Sequence, residues 1–301
     1  MYFIIRGLLY LLSMLPLRLL YIFSDAVYAL LYYIIGYRRA VVKNNLLIAF
    51  PEKTDLERTK IGKQFYKNFT DNFIETLKIL SGGEKFAGKH FSIDGTLLQE
   101  QFDKGHTCQF HLGHNFNWEM ANIAVSAASA FPMLMVYLEI KNKIFNKLML
   151  EIRTKSGNHL LPANNLRASL LPFRNTQYLL ALIADQVPGD VTRAHWLNFF
   201  GRPTPFLRGP ERGAVAGNLP VFFGEIFKIK RGHYIVKYEL CSEEPASLPE
   251  GELTRRYARY LEKSIREHPE MWLWSHRRWK KEWKQEYAPL WIGEKLPPVN
   301  S

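Results

Sequence analysis

The chain has 301 residues, and its 40 lysines and arginines outnumber 28 acids to leave a formal charge of +12, which favours anionic partners such as nucleic acid, an acidic membrane surface or phosphorylated lipid. Two cysteines, Cys108 and Cys241, are too few and too far apart for a disulfide framework or a zinc site. No Ser/Gly-rich or Pro-rich linker and no internal repeat divides the sequence, so it reads as one domain with an amino-terminal extension.

Residues 1–36 are that extension. Leu, Ile, Tyr and Phe dominate them, yet Arg6, Arg18 and Asp25 interrupt the run, and a spanning helix wants about 20 apolar residues. The expectation is an amphipathic, monotopic anchor whose arginines reach toward headgroups; a docking helix of a soluble domain is the other reading. No small-residue cleavage site follows, which argues against a signal peptide.

Residues 37–50 form a helical pattern carrying Arg38, Arg39 and Lys43, stopped by Pro51. Residues 55–80 predict a longer helix, with Ile61, Phe65, Phe69, Phe73 and Leu77 recurring every four positions as a core stripe and Gly82-Gly83 ending it. Strands and helices then alternate, the mark of an α/β arrangement. Strands are expected over 106–112, 133–138, 158–161 and 177–184, and helices over 121–130, 141–154 and 164–171. Residues 188–208, with Arg193, His195, Arg202 and Arg208, read as a long loop forming one cationic wall of a site. A helix over 209–218, a strand pair over 219–227 and 233–240, and a final helix over 251–268 complete the pattern. In the tail, Trp272, Trp274, Trp279 and Trp283 alternate with Arg277, Arg278, Lys280, Lys281 and Lys284. Such interleaving suits a membrane interface, single-stranded nucleic acid, or plain core packing with solvated charges; no nucleic-acid motif accompanies it.

Chemistry concentrates at residues 109–120. His114 stands between an apolar strand and a small-residue helix, with Glu119 five positions on. Imidazole suits proton removal near neutral pH, and a carboxylate on its far nitrogen would fix the tautomer. Positions i and i+5 lie about 140° apart around one helix, so His114 belongs in the turn and Glu119 in the first helical turn. A histidine and glutamate at a helix start, serving as caps, are the ordinary alternative. Asp185 follows a buried strand, where open α/β sheets place functional groups, although a turn aspartate has the same appearance.

His114, Asn117, Trp118 and Glu119 resemble the His-x-x-Asn-Trp-Glu signature of the late lipid A acyltransferases, the lauroyl and myristoyl transferases of lipopolysaccharide assembly. Tyr37-Arg38-Arg39, the run from Asn45 to Pro51, Asp185-Gln186 with Phe199-Phe200-Gly201, and Trp274 to Lys280 resemble further family blocks in the same order. Asn115 and Phe116 depart from the aromatic and glycine usual after the histidine. The resemblance implies a glycerolipid-acyltransferase-like mixed α/β sheet flanked by helices, with residues 1–36 as membrane anchor and 37–301 as acyltransferase domain. It implies a His114–Glu119 general-base dyad, no cofactor and no metal, with Asn117, Arg153, Asp185 and Arg202 as substrate contacts and Arg153 as the donor to a developing oxyanion. Acyl carrier protein would be the donor partner and a lipid A precursor the acceptor, at the cytoplasmic face of the inner membrane and without nucleic acid. Acylation of another membrane lipid (a phosphatidylinositol mannoside, a lysophospholipid or an aminolipid) and non-catalytic lipid binding are the alternatives. No Gly-x-Ser-x-Gly elbow supports a hydrolase.

Overall fold

The structure, a computed structural model, describes residues 1–295; residues 296–301, the end of the expected catalytic domain, lie outside the described residues. In chain order the helices are α1 (Tyr2–Met14), α2 (Leu17–Ala29), α3 (Arg39–Ala49), α4 (Asp55–His90), α5 (Thr96–Asp103), α6 (Trp118–Ala127), α7 (Lys143–Thr154), α8 (Leu166–Leu170), α9 (Gly209–Gly217) and α10 (Glu252–Glu267). The strands are β1 (Phe91–Ile93), β2 (Cys108–Leu112), β3 (Met133–Tyr137), β4 (His159–Pro162), β5 (Leu179–Ile183), β6 (Ala194–Phe199), β7 (Arg202–Leu207), β8 (Val221–Lys230) and β9 (His233–Ser242).

Seven strands make one sheet in the order β1-β9-β8-β2-β5-β3-β4, parallel throughout except for the antiparallel β8–β9 hairpin. The expected mixed α/β sheet is therefore present, mostly parallel and flanked by helices. Central strands covered on both faces carry continuous apolar runs; β5 does so, while β2 buries Gln109 and His111 between its apolar residues. Helix α10 packs through Leu253, Tyr257, Ala258, Leu261 and Ile265, a one-sided spacing that leaves its arginines outward.

Helix α4 starts at a capping box between Thr54 and Glu57. Of its aromatic stripe, Phe65 and Phe69 are buried and Phe73 is half exposed. Helical geometry breaks at Gly83, with φ 52°, but the chain resumes a helix to His90 instead of stopping; the expected end was a kink. Strand β1 and helix α5 had no clear signal in the sequence.

The first 36 residues are not a free tether. Helices α1 and α2 meet at Pro16 and both lie along α4. Leu20, Ser24 and Tyr28 face inward, while Phe3, Ile4, Leu8, Leu11 and Ile22 remain exposed. With its wider last turn, the stretch Leu17–Ile35 has 19 residues and a mean hydropathy of 1.4, long and apolar enough to cross a membrane by length and composition. Polar ties fasten it to the domain: Ser24 Oγ donates to Asp71 at 2.8 Å, the Tyr21 hydroxyl to Glu75 at 2.7 Å, and Arg231 pairs with both Asp25 and Asp71.

Two expectations are corrected. Residues 188–208 are not one long loop: β6 and β7 form a two-stranded antiparallel hairpin turned at Phe200 and Gly201, both at positive φ. Its cations do not converge on a site, because Arg193 pairs with Asp190, His195 with Glu211 and Arg208 with Glu250. The tail tryptophans pack inward. Trp272 and Trp274 are buried, Trp279 stacks on Phe199, and Trp283 meets Trp196 edge to face, so of the three readings of the tail, core packing is the one this fold adopts.

Candidate active site

Parallel strands β2 and β5 are neighbours in a fixed register, with Leu112 opposite Ile183. Two residues beyond that pair, His114 and Asp185 leave the sheet side by side, at its carboxyl-terminal edge. Nδ1 of His114 lies 2.5 Å from Oδ1 of Asp185, and the His114 backbone N–H donates to Oδ2 at 2.8 Å. The Trp272 indole N–H donates to the same Oδ2 at 2.6 Å. Asp185 is thus held by three donors while only 2 % of its side chain is exposed. Burial works to raise its carboxyl, but the attraction of a protonated His114 and these hydrogen bonds outweigh it and hold the group at about 2.

With the proton on Nδ1 directed at Asp185, Nε2 carries the lone pair, facing the Gln186 amide nitrogen at 3.2 Å. The side chain is 18 % exposed. Trp118 sets its edge against the imidazole with centroids 5.3 Å apart, and Phe116 stacks on Trp118. Gly113 precedes the histidine where space is tight: a Cβ there would meet Leu261 at 2.7 Å and Asn115 at 2.9 Å.

The expected hydrogen bond between His114 and Glu119 is not formed. Both stand where the helical geometry puts them, one in the turn and one in the first turn of α6, but the Glu119 carboxylate is turned toward α7. There Arg153 takes both of its oxygens, Nε at 2.9 Å and Nη2 at 2.5 Å. The glutamate sits at a helix amino terminus and the arginine in a last turn, so each charge also opposes its helix dipole. Burial pulls the Arg153 guanidinium down, but Glu119 more than compensates and its proton is held tighter than usual. Arg153 is therefore committed to a carboxylate, not standing free for an oxyanion.

Asn117 is fully buried and caps α6: its Oδ1 accepts from the Met120 N–H at 3.2 Å, and its Nδ2 donates to Glu75 at 3.0 Å. Glu75 also accepts from Tyr21 and Tyr234, so one carboxylate joins α2, α6 and β9, and burial raises its pKa. Both amide groups of Asn117 being used inside the protein, its part is to set the start of α6. Arg202 opens β7, exposed, with no hydrogen bond to the His114 cluster among the described residues.

Three groups without a role assigned in the sequence complete the site. Gln186 follows Asp185 directly in one family-like block; Trp272 and His276 arrive from 158 and 162 positions beyond His114, flagged only as a tail tryptophan and as part of the Trp274 to Lys280 block. The Val187 N–H donates to Nε2 of His276 at 3.2 Å, which requires a neutral ring, and burial lowers that histidine to about 4. Behind them Arg278 is fully buried. Its guanidinium lies 4.4 Å from the Phe206 ring centroid, and its nitrogens find no hydrogen-bond acceptor among the described residues. Burial lowers it to about 10, with Asp185 and Tyr257 pulling the other way.

Fold and site together define an α/β protein with an imidazole hydrogen-bonded to a buried carboxylate at the carboxyl-terminal edge of a mostly parallel sheet. The chain belongs to the family of bacterial lipid A biosynthesis acyltransferases, which it matches over residues 1–281. No curated protein matches it.

Proposed function

We propose that this protein transfers a fatty acyl chain from an acyl-carrier-protein thioester to a hydroxyl of a lipid A precursor, with His114 as general base and Asp185, in place of Glu119, as its orienter. The observation that carries this reading is the 2.5 Å contact between His114 Nδ1 and Asp185. Nε2 takes the hydroxyl proton as the oxygen attacks the thioester carbonyl; the carbon–sulfur bond then breaks and the imidazolium returns the proton to the leaving thiolate. Asp185 stabilises the imidazolium while it exists. Glu119 and Arg153 lock α6 to α7 and so fix the turn that carries His114. The mixed sheet is read as glycerolipid-acyltransferase-like.

In this reading the exposed apolar faces of α1 and α2 seat the protein monotopically at the cytoplasmic face of the inner membrane. The positive field steers the acidic carrier protein and the phosphorylated acceptor. Purified protein given an acyl carrier thioester and a lipid A precursor tests the proposal. Transfer that is lost in both His114→Ala and Asp185→Asn, with the fold intact, supports it. Transfer only to another membrane lipid moves the acceptor, and lipid binding without turnover in the native protein defeats the enzymatic reading.

A further inference from the structure

Away from the His114 cluster, helix α4 presents Leu56, Lys60, Lys63 and Lys67 along one face, at the three- and four-residue spacing that aligns side chains on a helix. This face closes against the end of the apolar amino-terminal pair. Lys60, Lys63 and Lys67 together with Tyr28 and Tyr33 line a cavity of about 480 Å³. Lys63 lies 5.8 Å from the Tyr33 ring centroid and Lys67 5.6 Å from that of Tyr28, within the range at which an aromatic face attracts a cation.

No ion pair neutralises these lysines among the described residues. The acids nearby are already engaged: Asp25 and Asp71 with Arg231 at 2.7 and 2.6 Å, and Asp55 with Arg58 at 2.7 Å. Beside the lysines stand apolar side chains with no cover, Leu56 at 83 % exposure and Ile34 at 79 %. A row of uncompensated cations bordered by bare hydrocarbon matches a ligand with a phosphate joined to acyl chains, and it continues the exposed apolar face of α2. An acidic protein surface would satisfy the lysines and leave Leu56 and Ile34 in water.

We propose that the Lys60–Lys63–Lys67 face, walled by Tyr28 and Tyr33, binds the phosphate headgroup of an anionic bilayer phospholipid at a site that shares no residue with the His114 cluster. This rests on the reading of α1 and α2 as membrane-seated. The headgroup site orients the protein on the bilayer, so that seating depends on lipid charge as well as on apolar burial.

Co-sedimentation of the full chain with vesicles of phosphatidylcholine alone, or containing phosphatidylglycerol, tests it. The native protein should prefer the anionic vesicles. K60Q/K63Q/K67Q should lose about a hundredfold of that affinity, at about fivefold per lysine, while retaining its binding to neutral vesicles and its thermal transition. A charge-matched control, K85Q/K89Q/K237Q, should keep the preference; an equal loss in the control would reduce the effect to net charge and overturn the site. Inorganic phosphate at matched ionic strength should not compete, and competition would make the ligand a free anion. Binding of acyl carrier protein that the triple variant loses would assign the face to a protein partner and defeat the proposal. Native protein bound equally to both vesicles would remove the headgroup site and leave membrane seating standing, whereas binding to neither would sink the seating itself.

Discussion

His114 and Asp185 meet at 2.5 Å although 71 residues separate them. The separation equals the offset between Leu112 and Ile183, the last paired residues of β2 and β5. Strand register continues past the sheet edge and brings the two side chains together, which a contact between His114 and Glu119 would not have needed. The carboxylate that contacts His114 is therefore delivered by two buried neighbouring strands.

Asp185→Asn should leave the backbone in place and lower turnover by roughly 10³- to 10⁴-fold, because an amide cannot enforce the same tautomer or stabilise the imidazolium. Steady-state rates with far-ultraviolet dichroism as the folding control measure this. A variant within tenfold of native activity would remove Asp185 from the mechanism.

Glu119→Gln should act through stability. It strands the Arg153 cation, whose side chain is 18 % exposed, and loss of one partner from such a pair costs roughly 3–5 kcal/mol. Replacing both, as Glu119→Leu with Arg153→Met, should recover much of that in urea denaturation. Full stability in Glu119→Gln with a displaced pH–rate profile would return Glu119 to the role of orienter.

Asn117→Ala removes the cap of α6 and one donor to the buried Glu75. A cost of about 2 kcal/mol is expected, with a fall in activity because the same turn carries His114. A thermal melt unchanged to within a degree would contradict this.

Acid should weaken the fold well above the carboxylate range. Burial lowers His111 to about 3 and His276 to about 4, whereas an unfolded histidine protonates near 6.5. Between 6.5 and those values the unfolded chain binds more protons, so stability is fully present above 6.5 and falls with pH by about 1.4 kcal/mol per unit for each ring. Asp185, held at about 2, joins the loss only below about 4. Urea midpoints measured from pH 7.5 to 4.5 should fall through this window, and His276→Gln should reduce the slope by one ring's share. Midpoints flat to pH 5 would refute the assignment.

Removing residues 1–36 should destabilise the protein and not release a soluble catalytic domain. The cut leaves Asp71 and Glu75 without Ser24 and Tyr21 and bares the α4 surface on which α1 and α2 pack. A truncated chain that is monomeric and active would show that the anchor is dispensable for folding.

Local chemistry wrote the elements and both members of the His114–Asp185 pair into the sequence. The strands β2 and β5, the helix expected over 121–130 that the fold begins at Trp118, and an acid directly after a buried strand were readable, because periodicity and turn chemistry depend on neighbours a few residues away. Glu119 is close to His114 in sequence, whereas Asp185 comes near it only through the sheet. Composition left three readings of the tail tryptophans open, and packing over long range decided among them, with Trp272 bonding Asp185 from 87 positions away.

By itself the sequence determined an α/β chain with an apolar amino terminus and a histidine at a strand-to-helix turn, since hydrophobic period and turn chemistry act over short range. Only the tertiary structure decided which carboxylate lies against that histidine, that Glu119 and Arg153 belong to each other, and that Arg193, His195 and Arg208 are paired elsewhere. Those choices depend on strand register and on which helices are neighbours, and the spacing of residues along the chain carries neither.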